Sequence, residues 1–471
     1  MTERPAREMR MLPDPIPPEE SRALAHRLVE PLWEKAVQEG EDNARYSVLS
    51  SLISVDPARV LERLESVKFK GEGWRQRLQR DVVIALAPFD FEEAAAVAES
   101  IADPGTRAWA LVQLADRLPA TERDRKLALL DRALLQARIA TDQGDRLLHI
   151  GDVAERWYEL GRPDKARALF AEGLQIAKAF TDKTDFKRGR FAGRLARVDL
   201  PAALAIAKDF NGDRGQGRIL GGMAFRLVEQ NPAEAERVWG QTKGMGRLMP
   251  MDPTLCWKMA SVDPARARRC IEGMPWIDQK PELYVFLALG SKTRDEPASL
   301  QAFQIGLQGL DRQRQEHPER YQHIAGKLLP VIERIDPALV PEVFWRDVAS
   351  RLPVGNPRSL QAYSPNYLIT YLAWYDRDVA AALFESRRAR MDQTNGDELA
   401  TWAIDFRAWS LLDPRAAVAR LEKLPIDPKL PLNAIRARLV VAESLARPYE
   451  ERWRKIWDDW DIIFGGTGRD L

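Results

Sequence analysis

The phrase Asp-Pro-Ala recurs along this chain wherever one apolar helical stretch ends and the next begins, and that recurrence limits the fold more than any other feature. It stands at Asp56-Pro57-Ala58, Asp263-Pro264-Ala265 and Asp336-Pro337-Ala338, with Asn231-Pro232-Ala233 and Asp413-Pro414-Arg415 as near copies. Looser versions follow Asp90, Asp199 and Asp378. Aspartate at a helix start accepts hydrogen bonds from the free N–H groups of the first turn, and proline at the next position has no N–H to leave unpaired. Successive junctions are 34 residues apart from 56 to 90, 32 from 199 to 231 and from 231 to 263, and 35 from 378 to 413. Two helices of about 12 residues with two turns fill such a period.

The stretches between junctions carry one apolar face. Leu111, Leu114, Ala115 and Leu118 fall at i, i+3, i+4 and i+7, and Leu127, Leu130 and Leu134 follow the same spacing. Runs such as Ala202-Ala203-Leu204-Ala205 and Ala380-Ala381-Ala382 let neighbouring helices approach closely. No sustained period-two alternation signals a strand. The pattern therefore predicts an all-α fold, a right-handed α-α superhelix (solenoid) of about ten helix-turn-helix repeats, each stabilised by its neighbours. Residues 1–18, with Pro5, Pro13, Pro15, Pro17 and Pro18, predict an extended Pro-rich tail, 19–447 the array, and 448–471 a C-terminal capping helix and tail. Irregular stretches at 241–252 and 353–367 are candidate breaks between sub-arrays. Returns between hairpins carry glycine, as in Gly71-Glu72-Gly73, Asp103-Pro104-Gly105, Asp142-Gln143-Gly144 and Asn211-Gly212-Asp213, which predicts left-handed C-caps. An arginine follows each: Arg75, Arg107, Arg146 and Arg214.

One segment resembles a known repeat. Leu160-Gly161-Arg162-Pro163-Asp164-Lys165-Ala166, then Phe170, Gly173 and Ala177, is similar to the second half of a tetratricopeptide repeat, and Ile150-Gly151 resembles that family's earlier Leu-Gly from a position three residues too far away. Asp103-Pro104-Gly105-Thr106-Arg107 with Ala110, Leu111, Leu114 and Ala115 resembles a HEAT-repeat helix. The tetratricopeptide match is confined to about residues 150–177. The resemblance implies a protein-interaction scaffold whose first helices line a concave face.

No catalytic set accompanies the repeat. The four histidines, His26, His149, His317 and His323, lack the i, i+4 spacing of a zinc helix, and Cys256 and Cys270 form no C-x-x-C pair. They read as buried thiols. No phosphate loop and no G-x-S-x-G elbow is present. Asp458-Asp459-Trp460-Asp461 lacks the D-D-x-x-D order of a magnesium-diphosphate helix. The expectation is no cofactor and no metal. No apolar run approaches the roughly 20 residues of a membrane span, and the absence of an apolar segment behind Met1 together with few cysteines points to the cytoplasm. With 71 basic and 70 acidic residues, the chain lacks the basic excess of a phosphate-neutralising nucleic-acid binder.

Two groups remain as candidate binding residues. Arg188, Arg190, Arg194 and Arg197 lie on the first helix of a hairpin and form a basic patch suited to acidic side chains or a C-terminal carboxylate. The alternative is that they meet local acidic partners. Other basic clusters stand at Arg266, Arg268 and Arg269, and at Arg387, Arg388 and Arg390. Trp453, Trp457 and Trp460 recur at helical spacing with Tyr449 and Phe464, either as the packed face of the capping helix or as a partner-binding stripe. Trp109, His149, Trp257 and Tyr371 belong on first helices as core or groove wall. The function expected is a non-enzymatic scaffold that binds a protein or peptide, with an all-helical enzyme of α/α-toroid type or a HEAT-like nucleic-acid binder as alternatives. No partner is identified by these residues.

Overall fold

Each Asp-Pro junction is a single residue that finishes one helix and starts the next. In the computed structural model of the chain, the backbone N–H groups of Asp56, Asp90, Asp199, Asn231, Asp263 and Asp413 donate to the carbonyl four residues earlier, at 2.7–2.8 Å. The side chain of the same residue accepts from the amide three residues later, at 2.9–3.1 Å. One residue in extended backbone, with φ near −143° at Asp263, thus satisfies the last turn behind it and the first turn ahead.

The structure describes residues 13–33, 42–180 except 65 and 72, 186–244 except 211 and 212, 253–273, 280–316, 377–393, 403–424, 433–447 and Tyr449, with a few isolated positions between 328 and 374. Among these residues there are helices and no strand. The chain divides into two compact units, one formed by 1–102 with 348–459 and the other by 103–347 with 460–471. Residues 353–367 and all of the proposed capping helix except Tyr449 lie outside the described residues, and residues 241–244 form a short 3-10 turn.

The second unit runs through α6 (Pro104–Arg117), α7 (Arg123–Ile139), α8 (Gln143–Glu159), α9 (Pro163–Ala179), α10 (Phe186–Leu195), α11 (Leu200–Lys208), α12 (Asp213–Leu227), α13 (Pro232–Gly240), α14 (Pro253–Val262), α15 (Pro264–Glu272), α16 (Lys280–Ser291) and α17 (Glu296–Glu316). Each even-numbered helix packs on the odd-numbered helix that follows it and on the next even-numbered helix. The first unit holds α1 (Pro18–Leu32), α2 (Asp42–Val55), α3 (Pro57–Leu64), α4 (Gly73–Leu86) and α5 (Phe91–Ser100). It also holds α18 (Arg377–Gln393), α19 (Ala403–Leu412), α20 (Pro414–Glu422) and α21 (Asn433–Ala446) from the far end of the sequence. Here α1 packs on α20 and α21, while α21 packs on α19 and α2, so the helix succession runs through both chain ends. Part of the Pro-rich segment is docked: Ile16 is buried, and the Pro13 carbonyl accepts from Arg377 at 2.7 Å.

Asp295 is a further junction of the same kind, bonding back to Ser291 and forward to Ala298. It extends the 32-residue step from 199, 231 and 263 to 295. Asp295-Glu296-Pro297-Ala298 has the spacing of Asp199-Leu200-Pro201-Ala202, so the looser form of the motif covers it. The glycine reading needs correction. Asp103 and Asp142 cap the starts of α6 and α8 through the amides of Thr106 and Asp145, so Gly105 and Gly144 sit inside first turns and not at C-caps. The requirement at Gly105 is space, because a Cβ there would lie 3.2 Å from the Cβ of Asp145 on the next even-numbered helix. Among the described residues the left-handed glycine is Gly161. Its N–H donates to the Tyr158 carbonyl and the Arg162 N–H to the Trp157 carbonyl, closing α8 in a Schellman turn.

Four of the positions that carry the tetratricopeptide resemblance are core positions. Ala166, Phe170, Gly173 and Ala177 are buried in α9. Phe191 of α10 fits between Gly151 and Gly173, where added Cβ atoms would stand 2.9 and 2.4 Å from its ring. Cys256 and Cys270 are buried thiols, and Cys256 Sγ donates to the Leu283 carbonyl at 3.4 Å.

Two outcomes follow for stability. Asp263→Ala removes the side-chain cap of α15 and should cost about 1 kcal/mol in equilibrium denaturation; an unchanged midpoint would contradict the junction's role. Gly173→Ala should cost about 1–3 kcal/mol by displacing the buried Phe191 ring, and the same measurement checks it.

Candidate functional site

The even-numbered helices of the second unit bring most of its buried charge to one place. On α8, His149, Asp152, Glu155, Arg156 and Glu159 recur at helical spacing, and all but Glu159 are largely withdrawn from water. Arg194 enters from α10 and Arg226 from α12, both buried. Arg197 follows just beyond the end of α10, and Asp116 reaches in from α6. A charge removed from water costs several kcal/mol unless it is paired and hydrogen-bonded, so this arrangement has to be satisfied internally.

Arg226 Nε donates to Glu155 at 2.9 Å and its guanidinium also reaches the Gly222 carbonyl at 3.4 Å. Arg194 bonds Asp152 and lies 3.4 Å from Glu155. Arg156 spans Glu155 at 3.2 Å, Asp152 at 3.6 Å and Asp116 at 2.8 Å. Arg197 pairs with Glu159 at 2.6 Å. His149 Nδ1 sits 3.1 Å from the second oxygen of Asp152. Four arginines thus meet four carboxylates, Asp116, Asp152, Glu155 and Glu159. The ladder ties α6, α8, α10 and α12 together, with its four arginines balancing its four carboxylates.

Burial alone would raise the carboxyl of Asp152, but the charges of Arg194 and Arg156 and the bond to His149 outweigh it and hold the group below its ordinary value of 3.8. Burial opposes ionisation at Glu155 too, and Arg226, Arg194 and Arg156 hold it below 4.5. For Arg156 burial works against the charge, and Asp116, Asp152 and Glu155 reverse the effect, raising it. Burial pushes Arg226 down. Carboxylates held ionised in this way accept hydrogen bonds and cannot donate protons near neutral pH.

The basic patch read from the sequence is therefore met by carboxylates over much of its extent. Arg194 and Arg197 belong to the ladder. Arg188 is buried, pairs with Asp209 at 2.7 Å and donates to the Ala177 carbonyl at the end of α9. Arg190 is half-buried with its guanidinium over the Phe186 ring. The clamp made by Arg188 recurs: Arg75 bonds the Val67 carbonyl, Arg146 that of Ala140, and Arg438 those of Leu421 and Leu424. An arginine early in one helix thereby satisfies carbonyls at the end of the helix before it. The other basic clusters also meet acids, with Arg266 on Glu236 and Asp263, Arg268 on Glu272 and Arg388 on Glu385. His149 is buried, Trp109 is half-buried and Trp257 is 42% exposed. Trp453, Trp457, Trp460 and Tyr371 lie outside the described residues. No group of three or more His, Cys, Asp or Glu placed to hold a metal occurs among the described residues, and no helix there is long and apolar enough to cross a membrane.

Asp152, Glu155 and Arg226 were missed in the sequence because their partners lie 42 and 71 residues away. The available signal was the charged series on the otherwise apolar face of α8.

Arg226→Met leaves Glu155 buried without its closest partner and should destabilise the chain by about 3–5 kcal/mol. Arg167→Met, which breaks an exposed pair with Asp164, should cost under about 1 kcal/mol. Because Asp152 and Glu155 ionise below their ordinary values when folded, the unfolded chain takes up their protons first as pH falls. Their stabilisation is complete above the ordinary values and drains away as pH falls through the folded ones. Urea midpoints should drop from about pH 5 to about pH 3, and less steeply in Arg226→Met. No protein-family model matches the sequence, and no curated protein or solved structure matches it either.

Proposed function

We propose that this chain is a non-enzymatic scaffold, a helical-repeat solenoid that binds a protein or peptide segment along the face formed by α8, α10 and α12. The observation that carries the reading is the side-by-side packing of α8, α10 and α12, which lines charged side chains along one face. At its edge Arg197 pairs with Glu159, whose side chain is half exposed, so the pair is open to an acidic side chain or a backbone carbonyl of a bound segment. The 32-residue junction spacing and the tetratricopeptide and HEAT resemblances support the same reading. The ladder's carboxylates, held ionised beside arginine, are poorly suited to general-acid work, and its balanced charge does not favour phosphate.

Selection of a random peptide library on the full chain should enrich peptides with an acidic residue, and Arg197→Ala should weaken the best of them roughly tenfold, about 1.4 kcal/mol, in fluorescence anisotropy. Enriched peptides that bind Arg197→Ala unchanged would remove this face from the account. An absence of any enriched peptide would overturn the scaffold reading.

A further inference from the structure

The helix α1 occupies the place of a second hairpin helix whose first helix comes from the other end of the sequence. It lies on α20 and α21, and Arg59 and Arg63 of α3 both reach its Glu30. Its inward face is apolar, with Leu24, Ala25, Leu28, Val29 and Leu32 buried. One buried polar bond ties it to α21, from Ser21 Oγ to the Leu445 carbonyl at 2.8 Å.

Its register on α20 is fixed by charge. Glu20 takes both arms of Arg415, at 2.6 and 2.8 Å, and Arg27 gives both arms to Glu422, at 3.0 and 2.8 Å. The two residues of α1 are seven apart, and so are the two of α20. Seven residues are two helical turns, so each pair lies on one face and the helices match in parallel. The order acidic-then-basic on α1 meets basic-then-acidic on α20, and a shift by one turn would separate both pairs.

The helix is weakly held by its own sequence. Pro17 at its start makes no side-chain cap, unlike the Asp junctions, and Pro31 stands inside its last turn. A helix of 15 residues is marginal alone in water. Both bidentate pairs are partly exposed and so contribute little each, although they discriminate against the wrong charge order.

We infer that the face formed by α20 and α21 is a receiving site for an amphipathic helix with an acidic residue followed seven positions later by an arginine, and that α1 fills it as a displaceable strap. The site belongs to the first unit and is independent of the reading given to α8, α10 and α12. The second copy that most simply competes for it is α1 itself, supplied separately.

The test uses a labelled peptide of residues 13–33 and three full-length chains. These are the wild type, a mis-keyed chain with Glu20→Arg and Arg27→Glu, and a re-keyed chain that adds Arg415→Glu and Glu422→Arg. The peptide should bind the mis-keyed chain at least about tenfold more tightly than either of the others, because only there is the strap mismatched while the seat still fits the peptide. Hydrogen exchange of α1 within the three chains should speed up at least about tenfold in the mis-keyed chain and return in the re-keyed one. Equal protection of α1 in all three chains, or any ranking of peptide binding that does not put the mis-keyed chain first, would overturn the inference.

Discussion

A helix junction made by one residue is the constraint on which the rest of this structure depends. When the N–H of Asp263 closes α14 and its carboxylate opens α15, nothing is left over for a flexible turn, and the angle between the two helices is set by a single backbone conformation. Repetition of that junction at Asp199, Asn231, Asp263 and Asp295 gives successive hairpins the same hydrogen-bond pattern between their two helices. Their first helices then meet side by side, and residues many positions apart acquire fixed neighbours. The Arg–carboxylate ladder across α8, α10 and α12 is one consequence. The parallel charge register of α1 on α20 belongs to the same kind of order.

The two charge arrangements differ in what they do for the chain. The ladder is buried, and removal of one member strands another in a medium of low dielectric; it rewards only the complete set. The pairs on α1 lie near water and contribute little energy each, so they select a register without making the contact permanent. A buried network suits a part of the molecule that holds its shape, whereas an exposed key suits a helix that can be exchanged.

Local chemistry was legible in the sequence and long-range chemistry was not. Asp56, Asn231 and Asp263 announced helix starts because cap, proline and alanine are contiguous, and Asp413, Asp199 and Asp90 did so in looser copies. Asp295-Glu296-Pro297-Ala298 repeats the spacing of Asp199-Leu200-Pro201-Ala202, so the same signal was present there. Gly105 and Gly144 follow an aspartate two residues back, and the same letters fit a C-cap or a first turn; the bonds from the Thr106 and Asp145 amides to Asp103 and Asp142 distinguish them. Arg188, Arg194 and Arg197 looked like a basic patch because the sequence shows clustered arginines and hides the carboxylates of Asp209, Asp152 and Glu159 that meet them. The meeting of α1 with α20 spans 395 residues of sequence and leaves no local trace.

One side chain at each junction completes the first turn of the following helix. First-turn amides ordinarily exchange with solvent quickly, since no carbonyl precedes them. Residue-resolved hydrogen–deuterium exchange on the full chain measures this directly at Glu93, Ala202, Glu234, Arg266, Ala298 and Ala416. The account predicts protection at these six amides well above that of the uncapped amides beside them; exchange at the same rate as those neighbours would contradict it.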